Sequence, residues 1–581
     1  MDILLERLQR HAVARPEKVA FTFLSTDAET VSRTYRELEA RALRYAMHIQ
    51  HIAAPGERVL LLYPSGLDFI EAFLGCLRAG VVAVPAYPPE ASAVKATLPR
   101  LRGIVEDCAP SVALAAPEIY ERRAALCREE PVLGTMRWAS VSDDDGSTVE
   151  AWLPPVAASA PAFLQYTSGS TARPKGVVVS HRNIVANHRF IESQCGLGPE
   201  DVCVGWLPLY HDMGLIGNVL LTIYTGMSCV WMSPLRFLHQ PARWLRAISQ
   251  YRGTYSGGPN FAYDLCASRV RPEQSAGLDL RSWRVAFNGA EPIRAETLER
   301  FAGRFAGEGF RRESFFPCYG LAENTLMVSG SLGKPTLKTL DRRAYETGQV
   351  VDSTGDAGAG LVVVASGSWD SATRVEIVEA ETGELCPPGR VGEIWVAGAS
   401  VAEGYWGAPE STLATFGRRL LGAGEASFLR TGDLGFLADG QVYVTGRSTD
   451  VIIARGRKIH AEDVEATVLA YDPALRPGSV AAFGFETGGE DQLVVVVAID
   501  LKRAAAVPHL LGAIRQCVSE VHETPPHAIL LVRPGSFPKT SSGKIQRSAC
   551  KKAFFDRSFQ VVAEWTDLPG RVRPLDTTTA G

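Results

Sequence analysis

A chain of 581 residues with 46% hydrophobic and 21% charged side chains has the balance of a folded globular protein. That excludes a disordered chain, a coiled coil and a collagen-like repeat. Its 60 Lys and Arg face 64 Asp and Glu, a formal net charge of -4, so no overall basic footprint for nucleic acid exists. The length suggests roughly four units of about 150 residues, or fewer large ones. The eleven cysteines come no closer than eight positions, which leaves no CxxC pair and no zinc-ligand spacing. MDILLERLQRHAVARPE places acidic residues ahead of any long apolar run, unlike a signal peptide. Scattered buried thiols in that context point to a reducing, cytoplasmic location.

Strand-like apolar runs alternate with helical patterns through most of the chain. RVLLLY (58–63) precedes the amphipathic GLDFIEAFLGCLRAG (66–80), which precedes VVAVPAY (81–87). The rhythm returns at SVALAA, AFLQYT, DVCVGWLP, MSCVWM, TYSGGP and WRVAFNGA, which predicts an α/β fold with largely parallel sheets. Residues 141–161 are acidic and then Pro/Ala-rich, the composition of a surface loop. Met213 to Met232 carries no charge, over a length that matches a membrane span of about 20 residues. Its Gly214, Gly217, Asn218, Thr222, Thr225, Gly226 and Ser228 argue instead for a buried helix and then a buried strand, so no integral membrane span is expected.

The stretch from Ser329 to about Ala365 reads as an insertion with some structure of its own. After about residue 370, VEIVEAETGELCPPGRVGEIWVAG alternates polar and apolar positions around Gly/Pro turns, a pattern of antiparallel strands. Past GRSTD (446–450) the acidic helix AEDVEATVLAY and the strands SVAAFGF and QLVVVVAID outline a small α+β unit. The expected organisation is a large N-terminal unit of layered α/β and antiparallel β subdomains at 1–446. A hinge at 447–450, a small mobile unit at 451–565 and a polar tail at 566–581 follow.

YTSGSTARPKG (166–176) carries the strongest local chemistry. A strand running into glycine, hydroxyl residues and Lys175 suits a polyphosphate, because backbone and hydroxyl donors approach closely and the ammonium supplies charge. Pro174 stands where a Walker-type loop has its second glycine, which disfavours that class. A flexible Ser/Thr loop is the plain alternative. CYGLAENT (318–325) offers Tyr319 to stack on a purine and Glu323 to hold Mg²⁺; a helix-start turn has the same look. NGAEP (288–292) is a small-residue turn able to take a flat base. RTGDLGFL (430–437) offers Asp433 at a Gly-flanked turn for ribose hydroxyls, and a plain hairpin turn is equally compatible. Arg447 at the junction, His211 in YHDMG and Lys544 in PKTSSGKIQR each also have ordinary structural readings.

In this order and spacing the motifs resemble the adenylate-forming superfamily, over about residues 5–565. WLPLYHDMGLIG, GGPNFAYDLC, FNGAEPIR and FPCYGLAENTLMVSG look like the fatty acyl-AMP ligases, as do Ala322 before the glutamate and the long connection after Glu323. The resemblance implies an ATP- and Mg²⁺-dependent ligase that makes an acyl-adenylate from a fatty or related carboxylic acid. The acyl group then passes to the phosphopantetheine thiol of a polyketide, peptide or lipid acyl carrier protein. An acyl-CoA synthetase using free CoA and a catalytically silent scaffold are the alternatives. Carried over by position, Thr167, Ser168, Gly169, Ser170, Thr171 and Lys175 would cradle the phosphates, and Glu323 would hold Mg²⁺. Gly289, Ala290, Tyr319, Gly320, Leu321 and Ala322 would surround adenine, and Asp433 and Arg447 would bind ribose. Lys544 would be the adenylation lysine, and His211 would lie near the reacting carboxylate. The acyl tunnel is expected around Trp206–Gly217 and Ser256–Asp264. Three positions depart from the family pattern: Ala172 in the phosphate loop, Thr449 at the pivot, and GRKIHAEDVE after it.

Overall fold

A computed structural model describes residues 3–26, 29–89, 94–141, 155–166, 174–354, 360–420, 426–454, 457–472, 475–476, 478–487, 490–500, 507–539 and 544–566. Two large sheets form its centre. One has eight strands, in the order Met327–Gly330, Phe315–Gly320, Val285–Asn288, Tyr255–Gly257, Val202–Gly205, Ser228–Trp231, Val19–Leu24 and Thr30–Thr34. All neighbours are parallel except the outermost strand at each edge. The other has six, in the order Arg137–Ala139, Val112–Ala115, Arg58–Leu62, Val82–Pro85, Pro161–Tyr166 and Gly176–Ser180, with only the last pair antiparallel. Helices cover both faces of such sheets, which is why these strands read as unbroken apolar runs. Buried residues of both sheets belong to one hydrophobic core.

The uncharged 213–232 stretch is a buried helix and then a buried strand, with one refinement. Its helix passes through a π-helical turn at Leu215–Leu220 between the short α-turns Asp212–Gly214 and Leu221–Thr225. Gly226, at φ 78°, ends it before the strand Ser228–Trp231. Among the described residues no helix is long and apolar enough to cross a membrane. All eleven cysteines are free thiols, and three of them, Cys127, Cys318 and Cys386, are only partly buried rather than buried.

An antiparallel sheet follows, built from Arg374–Val378, Gly392–Ala397, Ser427–Ala438, Arg418–Arg419 and Gln441–Arg447. In the 329–365 segment, Leu337–Leu340 and Leu361–Val364 pair as an antiparallel ribbon around the helix Arg342–Glu346. Its Leu340 and Tyr345 pack on Phe436 and Tyr443 of the antiparallel sheet. The same helix also meets the C-terminal part of the chain: the Tyr345 ring lies 5.4 Å from that of His460, and Arg343 pairs with Glu523 at 2.9 Å. Part of the acidic loop (142–154), part of the 329–365 segment (355–359) and the tail beyond 566 lie outside the described residues.

Residues 451–566 carry their own sheet, Val480–Thr487, Glu490–Ala498, Ala528–Val532 and Val561–Thr566. Alternation along the second strand explains the run of four valines. Val495 and Val497 face the helices Ala461–Tyr471 and Val507–His522, while Val494 and Val496 face the helix Arg547–Phe555. Arg547, three residues after Lys544, ties that helix to the junction. It pairs with Asp450 and Glu462 at 2.7 Å each and with Glu465 at 2.8 Å.

Three carboxylates share that one guanidinium. Glu462 Oε2 is buried with no hydrogen-bond partner among the described residues. Burial pushes the Glu462 carboxyl up to about 7; Arg547 opposes the shift, while Glu465 and Asp450 add to it. The folded protein therefore holds a proton that the unfolded chain releases at lower pH, so this stabilisation is present in mild acid and lost as pH rises towards about 7. Glu462→Gln, which keeps the neutral form, is expected to match wild type near pH 5 and to exceed it near pH 8 by on the order of 1–3 kcal/mol. Urea unfolding at the two pH values measures the difference. An equal difference at both contradicts a buried proton on Glu462.

Candidate active site

The functional side chains gather where parallel strands end, the edge at which α/β sheets bind ligands. Tyr166 ends one strand of the six-stranded sheet, Asn288 and Gly320 end strands of the other, and His211 follows the strand Val202–Gly205. Tyr166, Gly320, His211 and Gly289, the residue after Asn288, border a cleft of about 330 Å³. Lys175, His211, Gly289, Ala290, Tyr319, Gly320, Leu321, Ala322, Glu323, Arg447 and Lys544 all line it. Asp433 stands behind this lining. Thr167, Ser168, Gly169, Ser170 and Thr171, with Ala172, lie outside the described residues.

Around Gly289 and Ala290 the backbone makes the space. A Cβ on Gly289 would lie 2.7 Å from the Cys318 carbonyl oxygen, so glycine is required for this close approach. Ala290 adopts φ 74°, a left-handed conformation uncommon for alanine. The Tyr319 ring is almost buried, and its hydroxyl donates to Asp433 Oδ2 at 2.8 Å. Arg447 Nε donates to the other Asp433 oxygen at 3.1 Å. An ionised carboxylate has about four acceptor sites, which leaves Asp433 able to take ribose hydroxyls as well.

The expectation that Asp433 sits at a turn is corrected here. Asp433 lies inside the twelve-residue strand Ser427–Ala438, directly opposite Arg447. Gly432, at φ 74°, bends that strand without ending it. The hairpin turns later, at Asp439 and Gly440, both with positive φ. Arg447, exposed and ion-paired with Asp433, is brought to the cleft by strand register.

Glu323 occupies the short 3-10 turn Ala322–Asn324, so CYGLAENT is a strand end and a tight turn. Thr325 follows at φ 65°, a strained conformation for a β-branched residue, held by its hydroxyl donating to the Ser400 carbonyl at 2.6 Å. Burial pushes the Glu323 carboxyl up, and the Tyr405 hydroxyl, which donates to Glu323 Oε1 at 2.8 Å, moderates the shift. The Tyr405 ring also faces Lys175, whose Nζ lies 4.9 Å from the ring centre. Among the described residues no group of three His, Cys, Asp or Glu could cage a metal ion. A single carboxylate beside a phosphate site fits Mg²⁺, which binds through one or two carboxylates plus substrate phosphates.

The third part of the lining brings His211, Asp212 and Lys544 beside a group of apolar residues. His211 Nδ1 lies 2.5 Å from Asp212 Oδ1. Burial alone would push the Asp212 carboxyl up, but His211 and Lys544 beside it bring it below its ordinary value. Lys544 reaches this region from the C-terminal unit. Burial lowers the pKa of its ammonium, while Asp212, Glu291 and Asp433 favour the charged form. Ile191, Met213, Gly217, Tyr255, Phe287 and Leu326 line the deeper part. Tyr255 donates to the Gly217 carbonyl at 3.2 Å, a bond that meets the π-helical turn.

The expected tunnel walls are partly corrected. Residues 211–217 contribute, but Trp206 is stacked on Phe237 with ring centres 4.0 Å apart, and no residue of 256–264 lines the cleft. Tyr263 and Asp264 are instead committed to the core, to the Phe287 carbonyl at 2.7 Å and to Arg300 at 2.9 Å. Sequence reasoning missed Tyr405, Asp212 and Tyr255. Asp212 is adjacent to His211 in a motif already singled out. Tyr405 in EGYWG had no local signal, because its role comes from residues 403–406 crossing to pair with the strand Gly176–Ser180.

Comparison with known proteins agrees with this geometry. The family model described as AMP-binding enzyme matches residues 8–406, and one described as Disco-interacting protein 2-like, AMP domain, matches 449–564. A medium-chain-fatty-acid–[acyl-carrier-protein] ligase, JamA of Moorena producens, is 41% identical over 95% of this chain and 95% of its own length. The fatty acyl-adenylate ligase of L. pneumophila, solved in complex with acyl adenylate and pyrophosphate, is 37% identical with TM-score 0.73 over 97% of this chain and 98% of that one. A further structure, from studies of the E. coli and L. pneumophila fatty acyl-adenylate ligases, is 33% identical with TM-score 0.86 over 96% of this chain and 98% of that one. The chain belongs to the AMP-binding enzyme family, within its fatty acyl-AMP ligase branch.

Proposed function

We propose that this chain activates a fatty carboxylic acid with ATP to an acyl-adenylate, releasing pyrophosphate, and passes the acyl group to the phosphopantetheine thiol of a separate acyl carrier protein. The observation that carries the reading is the convergence of Lys175, Glu323, Arg447 and Lys544 on one cleft that continues into an apolar pocket. The acceptor is argued from the relative named as a fatty acid–acyl carrier protein ligase.

A carboxylate attacking the α-phosphorus is a meeting of anions, so alignment and positive charge matter more than acid or base. Lys175 and the hydroxyl segment 167–171 would hold the phosphates. Gly289, Ala290, Tyr319 and the backbone of 320–322 would hold adenine, and Asp433 and Arg447 the ribose. Glu323 is the residue that would hold Mg²⁺, which when bound neutralises charge on the phosphates. His211 and Lys544 flank the expected position of the acyl carboxylate, where Lys544 stabilises charge developing at the α-phosphate as pyrophosphate leaves.

Enclosure of the reactive mixed anhydride in this cleft would limit its contact with water. We propose residues 447–450 as the hinge and Thr449 as its pivot, about which the C-terminal unit turns to remove Lys544 and admit the carrier thiol. The contacts of Tyr345 and Arg343 with His460 and Glu523 support a role for the 329–365 segment in restraining that turn and so limiting use of free CoA.

Lys544→Ala is expected to lower acyl-adenylate formation by at least about a hundredfold, as loss of a charge acting in the transition state does. Lys539→Ala is the control, since that ammonium lies about 6.0 Å from the Phe537 ring and lines no part of the cleft. Pyrophosphate release measures both. Wild-type rates in the Lys544 variant remove its assigned role. Glu323→Gln is expected to raise the Mg²⁺ concentration needed for half-maximal rate by about tenfold or more. An unchanged Mg²⁺ titration contradicts metal binding at Glu323.

A further inference from the structure

The helix Val94–Cys108 carries no residue of the cleft, yet it braces the chain on both sides of Lys175. Gly103 and Asp107 are four apart and so share one face of it. Gly103 meets Pro174: a Cβ there would lie 2.9 Å from Pro174 Cδ. Asp107 Oδ2 accepts a hydrogen bond from the Tyr166 hydroxyl at 2.5 Å, and the same carboxylate accepts from the backbone N–H of Gly176. Tyr166 is the last residue of the strand Pro161–Tyr166, and Gly176 is the first of the strand Gly176–Ser180. One side chain therefore clasps the chain just before residue 167 and just after Lys175.

The packing around Gly176 leaves that clasp little freedom. A Cβ on Gly176 would lie 2.9 Å from the Tyr166 ring, so ring and glycine fit only against each other. The Gly176 carbonyl accepts from the Trp406 N–H at 2.8 Å. Trp406 carries the Arg58 guanidinium 5.2 Å from its ring centre. Arg58 in turn donates to the carbonyls of Cys108 and Ala109 at 3.0 Å each, at the end of the same helix. The circuit from helix to Asp107, Gly176, Trp406, Arg58 and back to the helix is closed.

We propose that Asp107 is a positioning residue for ATP: through Tyr166 and Gly176 it fixes Lys175 at the phosphate end of the cleft without touching substrate itself. The inference rests on the ATP-dependent reading above. Partial burial pushes the Asp107 carboxyl up, and the Tyr166 and Gly176 donors oppose that shift.

The test separates ATP binding from everything else the enzyme does. Asp107→Ala is expected to raise the KM for ATP, and its Kd measured by calorimetry, by about tenfold, and the KM for fatty acid by less than about twofold. Transfer of the acyl group from supplied acyl-adenylate to a phosphopantetheinylated carrier protein is expected to stay at the wild-type rate. Asp107→Asn keeps one acceptor oxygen and is expected to fall between Asp107→Ala and wild type. Tyr166→Phe, which removes a single hydroxyl, is expected to raise the ATP constants a few-fold. If Asp107→Ala does not fold, the other two variants carry the test. An unchanged ATP Kd in folded variants overturns the proposal. So does an equal loss in all three parameters, which is the signature of a merely structural residue. A wild-type protein that binds ATP but forms no adenylate would overturn the proposed function instead and leave the ATP affinities to decide on Asp107.

Discussion

A half-buried ammonium from one part of the chain, Lys544, enters a cleft otherwise lined by residues from 165 to 449. Burial works against its charge, and the carboxylates of Asp212, Glu291 and Asp433 offset that cost. The groups around it hold that cation inside the cleft. Arg547 anchors the helix that begins beside Lys544, and its bond to Asp450 ties that anchor to the junction with the larger part. The large sheets supply the opposite wall at their strand ends, with Lys175 and Glu323 held near one another by the single side chain of Tyr405.

Rigid backbone and titratable side chains divide the work. Gly289 and Ala290 shape their part of the cleft by close approach and positive φ, which no charge change can perturb. Asp433 links three elements, through Tyr319 on one sheet and Arg447 on its neighbouring strand, so its position is fixed by strand register. The 342–346 helix meets the C-terminal part through Tyr345 with His460 and Arg343 with Glu523.

Much of this was legible in the sequence because it is local. The strands at 58–62, 82–85 and 285–288 are short buried runs between helices, and the valine run at 494–497 has covered faces on both sides. Lys175, Glu323, Gly289 and Lys544 sit in motifs whose residue types already suit phosphate, metal and base. Asp433 was misplaced because Gly432 and Gly435 look like turn residues, whereas Gly432 only bends a long strand. Tyr405 and Asp107 act through segments far apart in sequence, 82 residues between Tyr405 and Glu323 and 59 between Asp107 and Tyr166, and no local pattern encodes such pairings. Of the expected acyl walls, 256–264 missed by one residue: Tyr255 faces the pocket and the chain beyond it turns into the core.

The most direct test incubates the purified protein with ATP, Mg²⁺ and a panel of fatty acids, alone, with CoA, or with a phosphopantetheinylated carrier protein, and follows products by mass spectrometry. The account predicts an acyl-adenylate that persists alone and with CoA and is consumed by the carrier to give an acyl thioester. Efficient acyl-CoA formation would contradict the assigned acceptor and the restraining role of the 329–365 segment. No adenylate from any acid would contradict the central claim that the cleft activates a fatty carboxylate.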